Sequence, residues 1–427
     1  MPAFDPVRDA VLNSPTSQFD VRRATNLSVL LNDDHADDTL APSPSLRRRQ
    51  APPAIPYKPT HRISPPSSVL VPMTPDEIEM FKSYRGKGTA RLSKRKRGRS
   101  NELDDEQPPP KKVAGDAGVV MEHYNSRPDV GVLQRLDSPI IGLKNFNNWV
   151  KSVLISSHAH PALSKSRQTR GHNRRGKVLD LGCGKGGDLT KWTKAKIVEY
   201  VGADIAAVSV EQARSRWEGI RAPRFDASFA ALDCYTESLS KAFPPETLSQ
   251  PFDVISMQFC MHYAFESENK ARCMLDNVSR WLRGGGVFIG TIPNAEQLLD
   301  HLQEIPPDSE DLSFGNSVYK IRFESRDHQG IFGHKYWFYL RDAVEDVPEY
   351  IVLWDSFVEL AAEYDLKPIY KEEFHQVFAQ NQGHPDFGPL MVRMKVVDAN
   401  GESSMDEDQW EAANIYIAFA FEKLGSQ

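Results

Sequence analysis

The stretch 178-VLDLGCGKGGDL-189 decides the fold class of this 427-residue chain. A short apolar segment runs into four glycines within six residues, with Asp180 just before them and Asp188 just after. Glycine lacks a Cβ, so a glycine-rich turn after the first strand of a parallel sheet lets a ligand approach the backbone closely. The stretch therefore predicts a strand, a ligand-binding loop and the start of a helix.

Strand-like and helix-like segments alternate around this loop, which predicts an α/β fold with a mostly parallel sheet. A helix from Glu268 to Leu282 is expected to end at Gly284-Gly285-Gly286. The segment 414-NIYIAFAFEK-423 is expected to form a late strand at or near the sheet edge. The other predicted strands are 177–183, 197–204, 252–259 and 287–293, and the other predicted helices begin at 188 and 207.

Composition divides the chain into two unequal parts. Sixteen of the 30 prolines precede residue 120, whereas all seven tryptophans and all four cysteines follow it. A segment rich in Pro, Ser, Arg and Asp buries too little apolar surface to offset its conformational entropy. We therefore predict a disordered tail over 1–120 and a folded domain over 121–427. The cluster 94-KRKRGR-99 in the tail predicts a nuclear protein, although the pattern is also typical of a solvated charge run.

Charge, cysteine content and hydropathy exclude several classes of protein. The net charge is -6, so any contact with nucleic acid must come from a local patch. The four cysteines include no C-x-x-C pair and the histidines have no convincing ligand set, so we predict no metal. The chain has neither an apolar run long enough to cross a bilayer nor a secretory signal pattern, so we expect an intracellular, soluble protein.

Three acids favour an adenosyl ligand at the glycine loop. The spacing Gly182-x-Gly184-x-x-Gly187 also matches the dinucleotide fingerprint, but Asp180 would place a negative charge beside a pyrophosphate. An acid there suits a cationic group, such as the amino-acid end of S-adenosylmethionine. Asp204 ends the second predicted strand, where it could accept both ribose hydroxyls. Asp233 follows the next strand-like stretch and could bind the adenine amino group; each acid alone could equally be a turn or helix cap.

Several motifs resemble those of eukaryotic mRNA cap guanine-N7 methyltransferases. The glycine loop is similar to the first motif of that family, and 138-SPIIGLKNFNNWVKSVLI-155 and 252-FDVISMQFCMHYAFES-267 resemble more specific ones. The resemblance covers about residues 120–427. It implies a class I methyltransferase fold, with a seven-stranded, mostly parallel sheet and helices on both faces. It also implies methyl transfer from S-adenosylmethionine to N7 of the terminal guanosine of a 5′ cap.

The resemblance implies two groups of binding residues. The cofactor residues are Lys151, Asp180, Gly182, Gly184, Asp204, Asp233, Gln258 and Tyr263. The cap residues are Asn147, Asn148, Lys185, Asp188, Phe259, His262, Tyr263, Pro293, Glu349 and Tyr416. Glu349 could accept from the N1–H and exocyclic amine of guanine, and Tyr416 could pack against the base.

The residues themselves leave other interpretations open. Asn147 and Lys151 lie one turn apart beside an apolar helical stripe, which is also typical of a plain amphipathic helix. The group around His262 follows the fourth strand and could stack on a flat base, or it could belong to the core. Taken alone, Glu349 is typical of a surface acid. Lys185 and the basic insertion 165-KSRQTRGHNRRGK-177 could contact triphosphate or RNA, but the insertion could equally be a surface loop.

The expected chemistry needs no acid or base. Guanine N7 carries a free lone pair and the sulfonium has a neutral leaving group, so alignment by His262, Tyr263 and Glu349 should suffice. Three rivals stay open: a class I methyltransferase with another substrate, a nicotinamide dehydrogenase, and a cap-binding scaffold without turnover. The resemblance implies capped mRNA as substrate, and RNA guanylyltransferase, RNA triphosphatase and the phosphorylated tail of RNA polymerase II as partners.

Overall fold

The computed structural model describes residues 115–127, 137–166, 176–221 and 225–425. The predictions for the tail up to residue 114, including the cluster 94-KRKRGR-99, lie outside these residues. Within the described part of the chain, no helix combines the length and apolarity needed to cross a membrane.

The bounds of the elements follow the predicted alternation. The helices are α1 Asp116–Ser126, α2 Ile141–Leu154, α3 His160–Ser164, α4 Leu189–Lys194, α5 Ala207–Glu218, α6 Pro245–Leu248, α7 Glu268–Trp281, α8 Ala295–Glu304, α9 Trp354–Ala362, α10 Phe374–Asn381, α11 Phe387–Arg393 and α12 Glu407–Asn414. The strands are β1 Lys177–Leu181, β2 Glu199–Asp204, β3 Asp226–Ala231, β4 Phe252–Gln258, β5 Leu282–Pro293, β6 Ser313–Gly315, β7 Tyr319–Phe323, β8 Lys335–Leu340, β9 Val344–Tyr350, β10 Leu366–Glu373 and β11 Tyr416–Lys423.

The main sheet of the described residues has seven strands in the order β10-β11-β5-β4-β1-β2-β3. Strands β3, β2, β1, β4 and β5 run parallel. Strand β11 pairs antiparallel with both β5 and β10. The mostly parallel sheet is therefore confirmed, and the late strand lies next to the edge as predicted.

Alternate residues of the central strands pack on opposite faces of the sheet. Val178 and Tyr200 belong to one apolar cluster, which also contains residues of α2, α4 and α5. Leu179 and Val201 belong to the other cluster, which contains residues of α7 and α9. Strands buried on both faces read as continuous apolar runs, as β1 and β4 do. Helices therefore cover both faces, as predicted.

A second sheet, which the sequence did not predict, follows α8. It is antiparallel, with the order β6-β7-β8-β9. Its inward side chains, including Ile321, Tyr336 and Phe338, pack into the cluster that contains α2. The sheet thereby carries β9 to the carboxyl ends of the parallel strands.

The glycine triplet does not close α7, and this prediction is wrong. The helix ends at Trp281 and β5 begins at once with Leu282, so Gly284–Gly286 lie within the strand. Gly285 has a φ of 70°. A Cβ at Gly286 would lie 3.0 Å from the carbonyl oxygen of Asp253. The triplet thus serves an irregular strand, whose register with β4 shifts between Phe252 and Val254.

Gly290 in β5 should tolerate no side chain. A Cβ there would lie 2.6 Å from the carbonyl oxygen of Met257 and 2.5 Å from Cζ of Phe419. We expect Gly290→Ala to lower the free energy of unfolding by about 1–3 kcal/mol, measured by urea denaturation. Gly219→Ala is the control, because its Cβ would meet nothing nearer than 3.4 Å. Equal stability of the two variants would contradict this packing.

Candidate active site

The glycine loop turns sharply at the carboxyl end of β1. Gly182, Gly184 and Gly186 have φ values of 72°, 52° and 73°, a region that favours glycine. The amides of Gly182 and Cys183 both donate to the carbonyl of Ala203, at 2.8 and 3.1 Å. A Cβ at Gly182 would lie 2.5 Å from Sγ of Cys260. The backbone is therefore open to close approach only because this residue is glycine.

Asp204 holds the loop in place from the end of β2. Its Oδ2 accepts from the amide of Gly184 at 2.8 Å, and its Oδ1 accepts from the amide of Ala206 at 2.9 Å. Burial raises the pKa of Asp204, and the two amides oppose that rise. Each carboxylate oxygen has two lone pairs, so the group can still accept from a ligand.

A cleft opens beside Asp204, with about 630 Å³ of empty space when the adjoining open solvent is included. Four predicted residues line it: Gly182, Asp204, Asp233 and Tyr263. Ile205, Leu232 and Cys234 add apolar surface between the two aspartates. The cavity therefore offers carboxylates at two strand ends with an apolar surface between them.

Helix α1 forms one wall of this cavity, through Asp116, Ala117, Val120 and Tyr124. Asp116 pairs with Lys335 at 2.9 Å and also accepts from the hydroxyl of Tyr350. Asn125 Oδ1 accepts from the amide of Val208 at 3.0 Å. Side-chain contacts therefore hold both ends of the helix against the rest of the domain. The domain boundary predicted at residue 120 falls inside this helix.

A buried network of two lysines lies on the other side of the loop. Asp188 accepts from Lys151 at 2.9 Å and from Lys191 at 2.7 Å. Burial opposes ionisation of Asp188, but the two lysines hold its pKa well below the usual range. Lys191 also donates to Oδ1 of Asn148. Asn147 Oδ1 is buried and has no hydrogen-bond partner among the described residues.

Glu349 lies buried among aromatic side chains. Its Oε1 accepts from the hydroxyl of Tyr263 at 3.2 Å, and its Oε2 accepts from the hydroxyl of Tyr336 at 2.9 Å. His262 Nε2 lies 3.3 Å from Oε1 but lacks hydrogen-bond geometry. Since each oxygen has a further lone pair, the carboxylate can also accept from a ligand.

Aromatic rings continue this cluster along the rim. Phe259 and Tyr416 pack edge to face with centroids 4.9 Å apart, and Tyr416 pairs with Pro293 in the sheet register. Phe259 has a φ of 59°, in the left-handed region that is strained for a bulky residue. Tyr263 lines the cavity and also bonds Glu349, so the cavity and the aromatic cluster meet at this side chain.

Other predicted residues lie outside the cavity. Asp180 is 3% exposed and accepts from the hydroxyl of Tyr200 at 2.9 Å, beneath the loop. Gln258 bonds Ser256 and Thr291 within the sheet. Lys185 donates to the carbonyl of Arg127 at 2.9 Å, on the outer side of the loop.

The ends of the basic insertion 165–177 lie at the amino ends of the parallel strands, opposite to the ends where the cavity lies. Residues 167–175 lie outside the described residues. The flanking Ser166 hydroxyl and Lys177 amide both donate to Asp253 Oδ2, each at 2.9 Å. Asp253 is the second residue of β4, at its amino end. The cavity lies at the carboxyl ends, so the insertion is anchored far from it.

The residues that sequence reasoning missed are Tyr336 and the wall of α1. Val120 and Tyr124 are spaced i,i+4, a signal that could have placed both on one helix face. Tyr336 lies in 335-KYWFYL-340, where aromatic residues occupy both faces of the strand, so no alternation singles it out. Among the described residues, no group of His, Cys, Asp and Glu is arranged to hold a metal ion.

The buried Asp180 should contribute to the pH dependence of the free energy of unfolding. Burial and the nearby carboxylate of Asp188 raise the pKa of Asp180 from 3.8 to about 7. Between these values the folded chain binds more protons than the unfolded chain, so this group lowers stability as pH rises. We expect Asp180→Asn to abolish that contribution, which amounts to at most about 1.4 kcal/mol per pH unit.

Urea unfolding of both proteins between pH 4.5 and 7 measures this slope. Asp276→Asn is the control, because it removes a carboxylate that is 43% exposed in a surface ion pair. Parallel curves for the native protein and Asp180→Asn would contradict the assignment.

Comparison with known proteins places this site in a family. The family model for the mRNA (guanine-N(7))-methyltransferase domain matches residues 110–424. An mRNA cap guanine-N(7) methyltransferase of Cryptococcus neoformans var. neoformans (strain JEC21) is 53% identical over 353 residues, which are 80% of this chain and 55% of that protein. The protein of the same name in Schizosaccharomyces pombe is 47% identical over 315 residues, covering 72% of this chain and 82% of that protein.

This chain spans about half the length of the Cryptococcus relatives that it matches, 55% of one and 48% of the other. A relative in Arabidopsis thaliana, mRNA cap guanine-N(7) methyltransferase 1, is 41% identical over 72% of this chain and 82% of its own length. The family match includes the glycine loop, the cavity and the cluster around Glu349. The chain belongs to the mRNA (guanine-N(7))-methyltransferase family.

Proposed function

We propose that this protein transfers a methyl group from S-adenosylmethionine to N7 of the terminal guanosine of a 5′-capped RNA. The observation that carries the proposal is the position of Tyr263. One side of this residue lines the cavity beside Asp204, and its hydroxyl bonds Glu349. A methyl donor and a guanine acceptor would therefore occupy adjoining spaces.

The cavity has the features that an adenosyl group needs. Asp204 ends β2 and Asp233 lies two residues after the neighbouring β3, so the two can accept from ribose hydroxyls and from an adenine amine. Leu232 and Ile205 offer apolar surface to the flat ring. Lys151 lies across the glycine loop, where it could bind a carboxylate, although Asp188 now holds it. The nearby acids suit the positive charge of a sulfonium.

Glu349 gives the site its preference for guanine. Guanine presents two donors on one edge, N1–H and the exocyclic amine, whereas adenine offers no such pair to a carboxylate. Tyr336 and Tyr263 fix the direction of the two oxygens, because each hydroxyl donates to a different one. Phe259 and Tyr416 supply ring surface beside the base.

The residues act by positioning rather than by proton transfer. S-adenosylmethionine supplies an activated methyl group with a neutral leaving group. Guanine N7 carries no proton, so none of the side chains needs to remove one. Glu349 holds the base in orientation, and Tyr263 keeps the two spaces in contact, so the catalytic gain is one of proximity. The acids of the site also favour the positive charge that forms on the guanine ring.

Nuclear localisation and contacts with guanylyltransferase, triphosphatase and the phosphorylated polymerase tail are parts of the same proposal. They are supported by family membership and by the cluster 94-KRKRGR-99. Replacing this cluster with alanine in a fluorescently tagged protein should move the protein out of the nucleus.

The activity is tested with GpppA-capped RNA and labelled S-adenosylmethionine. We expect label at N7 of the cap guanosine, and Asp204→Asn should abolish both transfer and binding of S-adenosylhomocysteine. Transfer to another acceptor would indicate a methyltransferase with a different substrate. Cap binding that needs no cofactor and gives no product would indicate a scaffold, and hydride transfer would indicate a dehydrogenase.

Tyr336 should affect binding of the cap guanosine, because it orients Glu349, and should not affect binding of the cofactor. We expect Tyr336→Phe to raise KM for GpppA roughly tenfold with little change in kcat, because a buried carboxylate loses one donor and its orientation. The dissociation constant for S-adenosylhomocysteine should stay unchanged. Tyr339→Phe on the same strand is the matched control, since Tyr339 is 40% exposed and faces outward.

Selectivity between guanosine and inosine caps provides a second test of Glu349, the carboxylate that Tyr336 orients. An inosine cap lacks the exocyclic amine, so the native enzyme should prefer the guanosine cap roughly 10- to 100-fold. Glu349→Gln should narrow this ratio, because the amide adds a donor opposite two donors. An unchanged ratio in Glu349→Gln would rule out this residue as the reader of guanine.

A further inference from the structure

Two cationic side chains, Arg127 and Lys144, meet at the turn between β8 and β9, and Lys185 of the glycine loop bonds the main chain of Arg127. Lys144 Nζ lies 2.7 Å from Oδ2 of Asp342, and 3.1 Å from the Asp342 carbonyl oxygen. Arg127 Nη2 donates to the same carbonyl at 2.9 Å. Lys185 Nζ in turn donates to the carbonyl of Arg127 at 2.9 Å. We call Arg127, Lys144 and Lys185 the rim cations.

Arg127 and Lys144 together carry more positive charge than the carboxylate of Asp342 neutralises. Arg127 Nη2 and Lys144 Nζ bond one carbonyl oxygen, at 2.9 and 3.1 Å, so they lie no more than 6.0 Å apart. The carboxylate that pairs with Lys144 belongs to Asp342, whose side chain is 46% exposed. Hydrogen bonds from Lys144 and Ser138 hold the pKa of Asp342 below its usual value, so this acid is ionised. Arg127, Lys144 and Asp342 together carry a formal charge of about +1 in a chain whose net charge is -6.

The position of the rim cations connects them to the proposed active site. Lys185 follows Gly184, whose amide bonds Asp204. Arg127 directly follows α1, whose Tyr124 lines the cavity. Lys144 lies on α2 one turn before Asn147 and two turns before Lys151. The rim cations are therefore carried by the same elements that carry predicted site residues: the glycine loop, α1 and α2.

We propose that Arg127 and Lys144, together with Lys185, bind the phosphodiester backbone of the RNA immediately beyond the cap triphosphate. This inference rests on the proposed function, because a capped RNA must leave the site along its own chain. Phosphates suit the rim cations well, since arginine can bind one in a bidentate manner and lysine acts as a mobile point charge. On binding, Lys144 would exchange part of its ion pairing with the carboxylate of Asp342 for pairing with an RNA phosphate.

The test compares substrates that share a cap but differ in RNA length. The double variant Arg127→Gln/Lys144→Gln is assayed in the full chain with GpppA and with a GpppA-capped RNA of twenty nucleotides. We expect kcat/KM for the capped RNA to fall roughly tenfold, and its dependence on log salt to flatten by about 1.4, for two phosphate contacts of a single strand. Turnover of GpppA should change less than twofold.

The opposite change should have the opposite effect. Asp342→Asn removes the competing carboxylate while Lys144 remains, so we expect kcat/KM for the capped RNA to rise a few-fold, with GpppA again unchanged. If the rim cations and Asp342 only stabilised the fold, kcat/KM for the capped RNA would fall in both the double variant and Asp342→Asn. Arg280→Gln is the matched control, since Arg280 also pairs with one carboxylate, Asp276 at 2.9 Å, but lies near the end of α7 that leads into β5.

Three results would overturn the inference. An equal loss for GpppA and for capped RNA would mean that Arg127 and Lys144 serve the cap or the fold. If the double variant kept the native ratio of kcat/KM for capped RNA to kcat/KM for GpppA, the RNA would leave the active site by another path. Stronger inhibition by a polyglutamate peptide than by uncapped RNA of equal charge would mean that the patch binds acidic protein. If GpppA itself is not methylated by the native chain, the proposed function fails instead.

Discussion

The hydrogen bond from Tyr263 to Glu349 holds the proposed site together. Tyr263 follows β4 in the parallel sheet, and Glu349 belongs to β9 in the antiparallel sheet. Both groups are buried, so breaking the bond would leave a polar atom without water to replace its partner. The distance between the cavity and the carboxylate therefore depends on how the two sheets pack, and a displacement of either sheet would change it.

The parallel part of the fold could be predicted because local chemistry and global packing agree there. The apolar strand β1 leads into a loop in which Gly182, Gly184 and Gly186 have positive φ. The prediction failed at Gly284–Gly286, where glycines permit an irregular strand instead of ending a helix. The second sheet was missed because β8 places Trp337 and Tyr339 outward and Tyr336 and Phe338 inward, which hides the usual alternation of polar and apolar residues.

The site was predictable where topology brings residues together. Asp204 and Asp233 follow neighbouring parallel strands, whose carboxyl ends must meet at one edge. Asp180 comes two residues before the loop, within β1, and its side chain bonds Tyr200 instead of lining the cavity. No periodicity could bring Glu349 to Tyr263, because their approach depends on packing between two sheets. Only the family resemblance joined them.

Helix α1 has a consequence for how the cavity is maintained. Its residues come from a part of the chain that composition assigns partly to the tail, yet Val120 packs with Tyr263 and Val347 at the centre of the site. Asp116 ties the start of the helix to Lys335 on β8, which also carries Tyr336. A fragment that began at residue 121 would keep every strand of both sheets but lose Asp116, Ala117 and Val120. We expect such a fragment to lack most of this wall and therefore to bind a ligand in the cavity poorly even where both sheets form.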